Sequence, residues 1–241
     1  MKALITLAAA LALALPALTA QANEVAGIKL GMSIAEAKSG VAASLKGLTT
    51  YPILSENKTQ VGFIGLRGHR GTSDNDSVIA YQGDSEGIWH IERTQAIPRD
   101  KRFTVQALVK SLREKYGKES YLQGAETGAT EGQMHWIFDN DKRPVAGSLY
   151  NHPVCHHYQT GSKTQLDGPD GWSFTISTGA QEKCGAIYTA SWYAEDGLVN
   201  WLSTAVVDYS SLRKSTQRRQ AKENAEREQK IKQQSGVKPN L

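Results

Sequence analysis

"GIKLGMSIAEAKSGVAASLKG", residues 27–47, is the stretch on which the fold reading turns. Ser33-Ile34-Ala35-Glu36 is a capping box: the hydroxyl accepts the amide three residues on, and the Glu carboxylate reaches back to the cap amide. Ile34, Ala37, Val41 and Leu45 then fall on one helical stripe, and Gly47 supplies a stop. The stretch predicts a strand end, a glycine turn and a short helix packed by one face.

Outward from it, "TTYPIL", "TQVGFIGLR", "SVIAYQ" and "GIWHIERTQ" are short and rich in β-branched or aromatic residues. Gly, Asn, Asp and Ser separate them, which predicts antiparallel strands in hairpins. A second helix follows. Thr104 caps it, Val105, Leu108, Val109, Leu112 and Tyr116 form its apolar stripe, and Gly117 ends it. Beyond lie "GQMHWIFD", "AGSLYN", "GWSFTIST", "AIYTASWYA" and "LVNWLSTAVVDY", again strand-like. The order helix, strands, helix, strands predicts an α+β protein with antiparallel sheets and two packing helices. It divides into two small α+β units, residues 23–97 and 98–208, or forms a single α+β domain with one long sheet. Residues 209–241 form a basic helical tail. From Arg213 to Lys232 there are eight Lys or Arg against three Glu, with no continuous apolar stripe.

The first 22 residues have the order of a secretory signal peptide: Lys2, an apolar run from Ala3 to Leu15, Pro16, and Ala20-Gln21-Ala22. The apolar run is shorter than the roughly 20 residues a spanning helix needs. The expected location is the periplasm. The formal charge of +4 falls to +3 without Lys2. The stretch from Arg213 to Lys232 holds +5 of it, leaving the rest at −2, so no uniformly basic surface points to nucleic acid.

"NHPVCHHYQ", residues 151–159, gathers His152, Cys155, His156 and His157. In an oxidising compartment Cys155 and Cys184, the chain's two cysteines, are expected to pair. A zinc site and a catalytic thiol are the alternatives. The histidines lack the spacing of a zinc site, and adjacent His156 and His157 would face opposite ways on a strand.

No serine-hydrolase elbow and no H-E-x-x-H is present, and "GSKT" at 161–164 lacks the rest of a phosphate loop. Asp74/Asp76, Asp139/Asp141 and Asp167/Asp170 fit turns better than calcium loops. No catalytic residue, metal or cofactor is therefore assigned. The most polar loop of the first half, "GLRGHRGTSDNDS", makes Arg67, His69, Arg70, Asp74 and Asp76 the candidate partner-binding residues. Trp89, Trp136, Trp172, Trp192 and Trp201 lie in predicted strands and are expected in the core.

Leu30-Gly31-Met32-Ser33 with Glu36, and the helix-ending "LREKYGKES" of Leu112 to Ser120, resemble envelope proteins of the SmpA/OmlA family, accessory lipoproteins of the outer-membrane barrel-assembly machine. The resemblance implies a strand leading through a Gly-Met turn into a capped helix and a small antiparallel sheet, in the cell envelope. The lipid-bearing Cys of that family is missing here. The expected function is a non-enzymatic accessory protein that binds another envelope protein, with weak anionic-surface contact through the tail. An inhibitor or immunity protein neutralising a periplasm-acting enzyme is one alternative, and a hydrolase with an unrecognised site is another.

Overall fold

A computed structural model of the chain places three α-helices and twelve strands among the described residues. It describes residues 24–55, 57–68, 75–126, 128–149, 152, 154–155, 163–167, 173–177 and 182–234. The expected signal peptide, residues 1–22, and His69, Arg70, Asp74, His156, His157, Asp170 and Trp172 lie outside the described residues.

A two-residue turn opens the fold. β1 (Glu24–Val25) and β2 (Ile28–Lys29) are joined by Ala26 and Gly27. Both have positive φ, 56° and 79°, as the tight hairpin turn with the right twist requires. α1 (Ile34–Ser44) then starts at the predicted box: Ser33 and Glu36 exchange both bonds, and Ala37 and Val41 are buried. It stops at Ser44, three residues before Gly47. Gly40 faces the β1–β2 turn so closely that a Cβ there would lie 2.2 Å from the Gly27 carbonyl oxygen.

β3 (Thr49–Leu54), β4 (Gln60–Arg67), β5 (Asp76–Tyr81) and β6 (His90–Ala96) form an antiparallel meander. α2 (Val105–Tyr116) begins where Thr104 Oγ1 accepts the Ala107 amide, 3.1 Å away, and ends at Gly117 with φ 80°. β7 (Tyr121–Gln123), β8 (Glu131–Asp139), β11 (Cys184–Glu195) and β12 (Leu198–Asp208) complete an eight-stranded sheet of order β3-β4-β5-β6-β12-β11-β8-β7. Between β8 and β11, β9 (Lys163–Asp167) and β10 (Ser173–Ser177) form a separate hairpin. The chain ends its described part in α3 (Tyr209–Gln234).

The strand order runs inward from both edges, so the last strand of each run, β6 and β12, pair at the centre. One ladder therefore crosses from the first helix-and-strands run to the second. Both helices cover the same face, because Ala37, Val41, Val105, Leu108, Val109 and Leu112 share one core with the sheet row Ile91, Val206, Tyr188 and Trp136. Trp136 Nε1 donates to the Gly117 carbonyl at 3.0 Å, fixing the end of α2 to β8.

The other face carries a second core, which takes in Ile53, Val61, Ile64, Leu66 and Ile79 of β3, β4 and β5. There Val207, Ile187 and Ile137 pack with Cys155, Cys184, Leu149, Tyr209 and Leu212. "AGSLYN" was expected to be a strand and is not one over residues 146–149. It runs across the sheet, burying Leu149 and donating the Gly147 amide to the Ser120 carbonyl, 3.0 Å away. A loop with Gly147 at φ 131° lies outside the extended region a ladder needs. The basic tail is a continuous helix as far as Gln234.

Candidate functional site

The cysteines are joined: Cys155 and Cys184 form a disulfide with Cα atoms 5.0 Å apart. Both are fully buried, and the bond ties the segment after β8 to the start of β11. His152 accepts the amides of Val154 and Cys155 on Nδ1, at 3.2 and 3.1 Å, and its Nε2 lies 3.1 Å from the Ala146 carbonyl. The ring thus shapes the turn that presents Cys155. Among the described residues no group of three or more His, Cys, Asp and Glu side chains is placed to hold a metal ion.

Of the candidate partner-binding residues, only Arg67 and Asp76 are described, and they pair, an exposed guanidinium on a buried carboxylate. Asp76 is 1% exposed. Its Oδ2 accepts from Arg67 and from Arg93, each at 2.8 Å, and its Oδ1 accepts from Arg93 Nε at 3.0 Å. Asp139 is a turn residue: Oδ1 accepts the amides of Asp141 and Arg143, both at 2.9 Å. Those bonds, the Arg143 amide foremost, hold its carboxyl below the usual range.

The open surface lies elsewhere, on the sheet face turned away from α1 and α2. Residues paired across antiparallel strands point to one face, and so do residues two apart along a strand. The ladders therefore define three rows on this face, the first of which continues into buried Ile79 and includes buried His135. Glu92, Ala205, Thr189, His135 and Tyr121 form the first; Thr94, Ser203, Ser191, Gln133 and Gln123 the second; Ala96, Trp201, Tyr193 and Glu131 the third.

The third row is the exposed end. Tyr193 is 52% exposed, Trp201 is half-buried and Glu131 is exposed. The Tyr193 and Trp201 rings lie 5.3 Å apart at 49°. They line, with Glu131, Gln133, Gln123 and Ser191, an open cleft of about 450 Å³. Gln123 Oε1 accepts from Tyr121 Oη and from Gln133 Nε2, both at 2.9 Å, so these side chains are held in place. Across the second row Thr94 Oγ1 donates to Ser203 Oγ at 3.2 Å, and Ser203 Oγ donates to Glu92 Oε1 at 3.4 Å. Glu92 Oε2 also lies 3.6 Å from Nε2 of buried His90, whose ring nitrogens have no hydrogen-bond partner among the described residues.

The expectation that the tryptophans are core is met by Trp89, Trp136 and Trp192, each at most 2% exposed. Trp201 departs from it. Trp89 stands just before β6 and not within it. The missed signal was the Asp196-Gly197 dipeptide, a hairpin turn that sets "SWYAE" against "LVNWL" and brings aromatics together.

Comparison with known proteins finds no matching protein family, no matching characterised protein and no matching solved structure.

Proposed function

We propose that this chain is a non-enzymatic binding protein of the periplasm that docks another envelope protein on the open face of its sheet. The observation that carries the reading is the Trp201–Tyr193–Glu131 row. It sets an aromatic pair, Tyr193 exposed and Trp201 half-buried, on an eight-stranded sheet, bordered by amide and hydroxyl side chains. Aromatic anchors with a polar rim are the composition of protein interfaces. The buried Cys155–Cys184 bond is compatible with a location outside the cytoplasm. No helix among the described residues is long and apolar enough to cross a membrane.

α3 supplies a second, weaker contact. Residues 217–233 are exposed on every side, a rod of about 25 Å that carries no apolar face to pack. Its excess of Lys and Arg attracts anionic lipid or lipopolysaccharide by screened charge, on the order of 1 kcal/mol per residue held near the surface. Adhesion of the full chain to anionic vesicles weakens with salt if this is so.

Affinity capture from envelope extract tests the main reading. The wild-type chain retains a stoichiometric envelope protein, and the Tyr193→Ala/Trp201→Ala variant loses it. An identical set of proteins on both baits counts against the open face. If the retained protein is an enzyme that loses activity when bound, the inhibitor form of the reading stands.

A further inference from the structure

We infer that the Trp201–Tyr193–Glu131 row receives a cationic side chain, arginine or lysine, from the protein docked there; this rests on the docking reading above. Three observations converge. First, the charge of the face has one sign. Among the described residues of the three rows there are two carboxylates, Glu92 and Glu131, and no Lys or Arg, in a chain with 28 Lys and Arg. Three arginines of neighbouring segments are paired elsewhere. Arg102, at the hairpin end of β11, donates to Glu195 at 2.8 Å. Arg67 and Arg93 point to the helix side, onto Asp76.

Second, the register places an aromatic ring and a carboxylate side by side. Tyr193 sits directly across from Glu131 on one side and Trp201 on the other. A guanidinium or ammonium group over these rings is attracted by their faces and can pair with the carboxylate at the end of the row. Third, the cleft has room for this. A volume of about 450 Å³ admits a long side chain with its flanking backbone. The fixed amides of Gln123 and Gln133 border it to meet the backbone of an extended segment. Electrostatic complementarity of this kind steers the encounter and fixes the register of a partner more than it adds affinity.

The test uses the full chain and a fluorescent peptide of alternating Arg and Gly, with a Glu-and-Gly peptide and a chitin oligosaccharide as comparison probes. The Arg peptide binds and the Glu peptide does not. Glu131→Gln and Tyr193→Leu each weaken binding about threefold to tenfold, and added salt weakens it further. Glu195→Gln, which removes another exposed carboxylate already paired to Arg102, leaves it unchanged. An unchanged thermal midpoint shows that each variant is folded. Arg-peptide binding that ignores both Glu131→Gln and Tyr193→Leu overturns the inference. So does an oligosaccharide that binds in place of the peptide and is lost in Tyr193→Leu. If an envelope protein is captured through Tyr193 and Trp201 but ignores Glu131→Gln, docking survives and the cation pocket does not. If the Arg peptide binds through Glu131 but no envelope protein is captured, the pocket survives and the docking reading does not.

Discussion

Asp76 is a carboxylate that chemistry-by-polarity selects for binding and that packing uses for stability. Its oxygens take three bonds from two guanidiniums at the end of β5. Arg93 is 21% and Arg67 44% exposed in the side chain, so the two cations rehydrate only in part once their anion is gone. Asp76→Ala should cost about 1–3 kcal/mol, and Asp76→Asn less, because an amide oxygen still accepts. Urea unfolding midpoints measure both. The disulfide gives a second prediction at this scale. With the two cysteines 29 positions apart in sequence, cross-linking stabilises by roughly 3–4 kcal/mol through loop entropy. Cys155→Ser and Cys184→Ser should lower the non-reducing thermal midpoint equally, since either one opens the same loop. Tyr116 and Tyr188 supply a pH dependence. Burial pushes both phenols up to about 12 from an ordinary 10.0. The folded state therefore holds protons that the unfolded state releases from pH 10 upward. Stability is constant in this respect below pH 10 and falls as pH rises toward 12. Tyr116→Phe should flatten the fall in thermal midpoint across that window.

At the scale of elements, α3 divides into two parts. Tyr209, Leu212 and Ser215 are buried against the sheet, while residues 217–233 are exposed. The outer part is held to the β5–β6 loop by Arg218–Glu86 and Arg219–Asp84, both between exposed side chains. Such pairs contribute about 0–1 kcal/mol. A chain ending at Thr216 should therefore unfold within about 1 kcal/mol of the full chain, whereas Leu212→Ala should cost about 2–5 kcal/mol. The β8–β11 contact has a comparable weak point. Gly132 lies opposite Trp192, and a Cβ there would come within 2.2 Å of the indole Cζ2. Gly132→Ala should cost about 1–3 kcal/mol by overpacking, seen as a lower midpoint and a shifted Trp fluorescence.

At the scale of the molecule, the helices and most strands were legible because each carries a local signal. Ser33-x-x-Glu36 and Thr104 announce their helices, and short runs rich in β-branched or aromatic residues announce β4, β5, β8 and β12. The sheet order was not legible, since nothing local says that β6 meets β12. The candidate site was legible only in its parts. A two-residue Asp-Gly loop read from sequence pairs Tyr193 with Asn200. The bulge between Tyr193 and Ala194 moves the partner on by one, to Trp201, and so creates the aromatic pair. Which face stays open was hidden too, because α1 and α2, far apart in sequence, cover the same side.

The claim on which the account rests is that the open face, and not the helix side, meets another protein. A photo-crosslinking amino acid placed at Tyr193, compared with one at Gln106 on the outer surface of α2, tests it in intact envelopes. The account predicts a single covalent adduct of defined mass from position 193 and none from 106. No adduct from 193, or the same adducts from both positions, would contradict it.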